Sequence, residues 1–379
     1  MRALPVFLPF FFLLYRLLET EWHPYYFSLT LIYLIPAAIF LTKKNKKYIS
    51  FWAGSMIGYC LLDHIFRGVS FPDMKEQATG LDYWYIFPSV LLILLGHVAQ
   101  TFRWSTLLEN VQRLSFFDLF PSMMIGYLVN NLLPAKTGEV VKAYHLGRSK
   151  NISKISILAT VFVEKVLDGL TILLFLFIPL LLLKEGGGKI SSLSLAVGSL
   201  YIGGLFFLLA LFFFKVKING VCQRYLNERA FRLVSKGTES FSKGLSIFES
   251  PKQVASAVGT SFLMWTCTAL SLWPVLWMFD FEVPFFTPFF ILSFICFGQT
   301  LPAAPAGIGI INFASVLSLE IIFKNKGVSV SETLYTQIAI FSLIVNAVMV
   351  IPEIVLGLYF ALTTDMGFST LIKKSDTET

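Results

Sequence analysis

Two short segments place glycine, proline and charge inside stretches otherwise apolar enough for a membrane interior. They are NNLLPAKTGEVVKAYHLGR, residues 130–148, and QTLPAAPAGIGIINFASV, residues 299–316. Each carries Leu-Pro-Ala followed by a glycine: Leu133-Pro134-Ala135 before Gly138, and Leu301-Pro302-Ala303 before Gly307. Backbone that leaves the helix in a bilayer finds no water, so it survives only when buried in protein or lining a water-filled cavity. A matched pair of broken segments in two halves of a chain points to a transporter-like binding site near mid-membrane.

Composition fits that frame. Hydrophobic residues make up 56% and charged residues 14%, against about 25% charged in soluble domains. Runs long enough to span, about 17 to 25 residues, recur along the chain. The longest polar stretch, Lys215 to Lys252, is too short for an independent globular core. The net charge of +7 sits in short loops between apolar runs, which suits an anionic lipid surface rather than nucleic acid. Cys60, Cys222, Cys267 and Cys296 have no metal-ligand or redox spacing, and a disulfide framework is not expected. No cofactor or metal is expected, nor a catalytic nucleophile-base set, since His23, His64, His97 and His145 are scattered. Arg2 and the apolar run after it lack a small-x-small cleavage site, so residues 4–18 read as a retained helix.

Lysine and arginine mark cytoplasmic loops. They cluster at Lys43 to Lys47, at Arg103 and Arg113, at Arg148 to Lys154, at 215–252, and at Lys373 and Lys374. The rule is met by spans at 4–18, 26–42, 49–67, 83–102, 155–183, 190–214, 253–279 and 333–363, with both termini cytoplasmic. Segments 116–147 and 285–323 must then each return to the side they entered from. The expected fold is an all-α polytopic membrane protein with about eight transmembrane helices plus two re-entrant helical hairpins. The order span, hairpin, span recurs with opposite orientation (83–183 and 253–363), which makes an inverted-topology repeat. The alternative is that the hairpins are ordinary spans and one basic loop is misassigned. The segment 215–252 reads as an amphipathic helix on the inner leaflet or as a solvated linker helix. Residues 1–46 read as two added helices, 47–363 as the main membrane domain and 364–379 as a cytoplasmic tail. Homo-oligomerisation stays open, because membrane interfaces leave little trace in one sequence.

Four separated patterns carry a family resemblance: Arg103-Trp104, the first break from Asn131 to Glu139, Val163-Glu164-Lys165-Val-Leu-Asp168, and Pro305-Ala-Gly307-Ile-Gly309. Over about Lys47 to Ala361 the chain resembles the lysylphosphatidylglycerol synthase transmembrane-region family. Those are the flippase-like domains found alone or fused to an aminoacyltransferase in the multiple peptide resistance factor. The family pattern usually has arginine at Lys136, Lys142 and Lys165, and glutamate at Asn312. Lysine keeps the charge but loses the bidentate fork on phosphate. The aminoacyltransferase half is absent from this sequence, so the resemblance implies at most lipid flipping, in a prokaryotic inner membrane.

Charges inside apolar runs each cost about 2.5 to 3.5 kcal/mol at a helix centre and are seldom idle. Glu164 and Asp168 are one helical turn apart, with Lys165 beside them. Lys136, Glu139 and Lys142 of the first break are their expected partners, with Gly138 freeing backbone N–H groups for an anion. Pro305, Gly307, Gly309 and Asn312 would line the same cavity from the second break. In the leading reading, Lys136 and Lys142 hold a lipid phosphate while the carboxylates receive a cationic headgroup or exchange protons. The bland reading is a closed structural salt-bridge cluster. Arg103 and Trp104 are expected as interface anchors, His97 as a hydrogen-bonded core residue, and Pro352 with Glu353 as a kink. Rival functions are an integral-membrane enzyme acting on a lipid or polyprenyl phosphate, and an accessory factor in lipid or glycan synthesis.

Overall fold

The structure is a computed structural model that describes residues 48–133, 137–182, 239–241, 243–300 and 304–364. The expected spans 4–18, 26–42 and 190–214, most of 215–252, the tail, Pro134 to Lys136 and Leu301 to Ala303 lie outside the described residues. All regular elements among the described residues are helical. They are α1 (Tyr48–Phe66), α2 (Phe71–Thr79), α3 (Ile86–Leu108), α4 (Phe116–Leu132), α5 (Gly138–Ser149), α6 (Lys154–Leu182), α7 (Pro251–Leu270), α8 (Leu272–Met278), α9 (Thr287–Gly298), α10 (Ile310–Asn325) and α11 (Glu332–Thr363), with short 3-10 turns between. Serines start several of them as the capping rules require: Ser70 for α2, Ser250 for α7, Ser331 for α11, and a Ser115–Asp118 capping box for α4.

Among the described residues five stretches are long and apolar enough to cross a bilayer: Tyr83–Leu108, Lys154–Leu182, Pro251–Met278, Pro305–Asn325 and Glu332–Thr363. Four match expected spans; the fifth is the return arm of the second broken segment. Both broken segments are helix-break-helix pairs whose arms pack against each other. In the first, Asp118 pairs with Lys150, Ser122 with His145 (2.8 Å), and Asn130 with Gly138 (2.8 Å). In the second, Gly298 lies against Ile310. Helices α5 and α9 have 12 residues each, about 18 Å against a hydrocarbon core of about 30 Å.

The two halves repeat a single packing scheme. Helices α3, α4, α5 and α6 correspond to α7, α9, α10 and α11: α3 packs on α4 as α7 on α9, and α5 on α6 as α10 on α11. Each half also lends its last helix to the other's hairpin, α11 against α4 and α6 against α9. The leading helices meet antiparallel along a shared seam, where Gly96 faces Met264 and Thr268, Arg103 bonds Ser261, and Asn110 bonds Gln253. Two equivalent helices that cross antiparallel are related by a two-fold perpendicular to both.

Only the end of the 215–252 segment is described, and part of it meets the protein: Leu245 and Ile247 are buried with Trp104 and Ile157, while Glu239, Lys243 and Glu249 are exposed. Ser156 donates to the Ser240 carbonyl (2.6 Å), and Asn110 to that of Ser246 (3.1 Å). Leu245 and Ile247 thus serve the protein core.

Candidate functional site

Six charged side chains converge where α3, α5 and α6 meet the seam. Arg103 of α3 is wholly buried and spends its guanidinium on two carboxylates one turn apart on α6. It donates to Asp168 Oδ1 (2.5 Å) and Glu164 Oε1 (2.9 Å), and to Ser261 Oγ of α7 (3.0 Å). Lys142 of α5 closes on the other oxygen of Glu164 (2.8 Å), with its Nζ 4.3 Å above the Trp104 ring, a cation–π contact. Glu139, a turn back along α5, pairs with Lys165 (2.8 Å) and lies 3.8 Å from Lys142. Gln100 and Trp265 complete the shell by donating to Glu164 and Asp168 at 2.9 Å each.

Three cations therefore face three carboxylates. A buried ion pair offsets its desolvation only when geometry is good and its remaining lone pairs are bonded, and here both oxygens of Glu164 are used. Among the described residues the cluster is most exposed at one edge. The side chains of Lys165 and Glu139 are 48% and 24% exposed, whereas those of Arg103, Lys142 and Glu164 are 4% or less. The space left among Gln100, Tyr127, Asn130, Glu139 and Lys142 is about 10 Å³, room for a water and not for a headgroup.

Arg103 and Trp104, expected as interface anchors, are instead at the centre. The helix runs on to Leu108, and Arg103 is tolerated inside because Glu164 and Asp168 balance it. Trp104 packs fully buried and donates to Thr160 Oγ1 (3.3 Å). Four participants were missing from the expectation: Gln100, Tyr127, Ser261 and Trp265. Their signal was positional, since Gln100 and Arg103, and Ser261 and Trp265, sit a turn apart on one helical face.

The structure brings Glu139, Lys142, Glu164, Lys165 and Asp168 together as expected, while Lys136 lies outside the described residues. Gly138 serves close approach: its N–H goes to Asn130 Oδ1 within the hairpin, and a Cβ there would fall 2.0 Å from the Gly126 carbonyl oxygen. The second break is likewise turned inward. Its chain reverses through left-handed Ala306 (φ 58°), Gly307 (φ 62°) and Gly309 (φ 84°), just after Pro305. Asn312 accepts from Gly309 N–H (3.0 Å) and donates to the Ser342 carbonyl (3.0 Å), and Asn346 donates to that of Ala306 (3.1 Å). The Asn312–Ser342 bond links α10 to α11 where Lys142–Glu164 links α5 to α6. The first half holds its hairpin with charge, the second with neutral amide and hydroxyl groups.

The family model for the lysylphosphatidylglycerol synthase transmembrane region matches residues 49–357. Similar proteins include a UPF0104 membrane protein of Methanothermobacter thermautotrophicus, 24% identical over 295 residues (72% of this chain, 86% of the relative). Another is a UPF0104 membrane protein of Pyrococcus horikoshii, 21% identical over 281 residues (69% of this chain, 84% of the relative). The chain belongs to the lysylphosphatidylglycerol synthase transmembrane-region family and is an integral membrane protein.

Proposed function

We propose that this protein is a lipid flippase, carrying a phosphate-bearing lipid between the leaflets of a prokaryotic inner membrane. The observation behind this reading is the six-charge cluster between the first hairpin and α6. It is held inside an apolar bundle and, among the described residues, is most exposed at Glu139 and Lys165. With Lys142 committed inward to Glu164, the lipid phosphate falls to Lys165 and a cationic headgroup to Glu139. Acyl chains would stay in the bilayer along the apolar helix faces. In this reading the short hairpin arms dip from opposite faces as re-entrant elements, both termini are cytoplasmic, and the described state is closed. The halves then rock about the α3–α7 seam to expose the cluster alternately.

The test is leaflet-resolved transfer by purified protein in liposomes, offering aminoacylated and plain phosphatidylglycerol and a polyprenyl phosphate in turn. Transfer of one class is expected. Lys165→Gln and Glu139→Gln should lower it about tenfold or more, the worth of one charge-assisted bond, with the thermal midpoint little changed. Unaltered transfer in both variants would remove these residues from the site. No transfer of any class by folded protein would remove the transport reading.

One observation favours a second reading, an accessory role in lipid or glycan synthesis: the six charges pair with one another and leave room for little more than a water. On that reading neutralising Lys165 leaves partner activity intact, and only disruption of the buried charges lowers abundance.

A further inference from the structure

The carboxylates of the charge cluster are poor carriers of an exchangeable proton. Glu164 and Asp168 both face Arg103, which does not deprotonate in proteins, and Glu139 faces two lysines. Glu353 of α11 has a different setting. Its side chain is 17% exposed, Oε2 accepts from Asn131 Nδ2 (2.7 Å), and Oε1 lies 3.4 Å from His97 Nε2. Nothing permanently charged touches it among the described residues. His97 is itself buried, and its Nε2 has no hydrogen-bond partner. A neutral imidazole carries one ring proton: on Nδ1 it leaves the Nε2 lone pair facing the carboxylate, and on Nε2 it faces Oε1 across 3.4 Å. In the first case one proton between them removes the conflict.

We infer that His97 and Glu353 form a proton-binding site joining the leading helix of the first half to the last helix of the opposite half, with Asn131 of the first hairpin bonded to it. The site lies about 15 Å, ten residues, from the end of α11, and ionisable side chains inside membrane-spanning helices commonly serve as proton relays. The polar groups around it are those of the charge cluster. From α3 comes Gln100. From α4 come Tyr127, whose ring is 4.9 Å from that of His97, and Asn131; from α5 comes Glu139, and from α6 Glu164 and Lys165. Among the described residues Arg103 is committed to Glu164 and Asp168, and Lys165 to Glu139, so neither holds Glu353 ionised.

The site also has a mechanical consequence. Asn131 stands at the end of α4, immediately before the first break, and its bond to a carboxylate is charge-assisted. Adding a proton to Glu353 weakens that bond. Pro352 beside it gives no N–H to the preceding turn of α11, so the helix can yield at that point. The ligand is the proton alone, and the inference does not depend on what the protein carries.

Infrared difference spectroscopy of the purified protein in lipid nanodiscs, titrated from about pH 8 to about pH 5 around the imidazole range, tests it without any substrate. The wild type should gain one protonated-carboxyl band. That band should vanish in Glu353→Gln, shift its midpoint in His97→Gln, and persist in Glu139→Gln. No titrating band in the wild type, or one unchanged in Glu353→Gln, overturns the proposal. Should Glu353→Gln fail to fold, the His97→Gln midpoint decides alone, an unshifted value overturning it.

Discussion

Arg103 shows how charge in this protein is held rather than displayed. Its guanidinium bonds Glu164, Asp168 and Ser261, with none of its surface exposed. Arg103→Leu should therefore strand two carboxylates and cost about 3 to 5 kcal/mol, the usual result of breaking a buried pair. In detergent it is expected to lower the thermal midpoint severely or abolish folded protein. Lys165→Gln, at the half-exposed edge, should cost within about 1 kcal/mol. Equal losses in the two variants would refute the division into a closed interior and an open edge. The sequence made half of this legible. Glu164, Lys165 and Asp168 stand out because three charges inside an apolar run have no cheap explanation but each other. Arg103 and Trp104 did not stand out, because an arginine near the end of a hydrophobic window looks like a loop residue obeying the positive-inside rule. Only the partner across the bundle distinguishes the cases, and that partner is 61 residues away.

At the scale of elements, glycine decides where helices touch. Gly309 has φ 84°, and a Cβ there would lie 2.3 Å from the Gly58 carbonyl oxygen on α1. Gly309→Ala thus meets both backbone strain and a backbone clash, and strain of this kind alone costs about 1 to 3 kcal/mol. Gly259 in the middle of α7 has nothing within 4 Å of an added Cβ, so Gly259→Ala should be neutral or stabilise by up to about 1 kcal/mol. Thermal midpoints of the two variants check the pair; a destabilised Gly259→Ala or a tolerated Gly309→Ala contradicts it. The breaks were legible because proline and glycine in an apolar run break helices whatever the fold. The length of their arms was less so. The Leu-Pro-Ala motif is the same in both breaks, yet α10 with its leading 3-10 turn is itself long enough to span and α5 is not. At the end of the 215–252 segment apolar spacing cannot say whether a leaflet or a neighbouring helix receives the face; Leu245 and Ile247 pack on protein.

For the whole molecule the question is whether the two halves move. Their leading helices share the antiparallel α3–α7 seam, and each half's last helix grips the other's hairpin. Alternating access by rocking must change that seam, whereas a rigid scaffold leaves it still. A native thiol sits on it: a Cβ built at Gly96 lies 3.8 Å from Cys267 Cβ, the mean separation in disulfides. Gly96→Cys should therefore cross-link to Cys267 under mild oxidation. The neighbouring Thr268 hydroxyl, 3.1 Å from the new Cβ, has to shift slightly. Loss of both free thiols to a maleimide reagent, restored by reductant, reports the bond, and failure to form it contradicts the packing of the seam. With the bond in place, lipid transfer should stop and recover on reduction if the halves rock there. Cross-linked protein that transfers lipid at the uncross-linked rate would show the seam to be the fixed axis, and would leave motion to the hairpins that α11 and α6 hold.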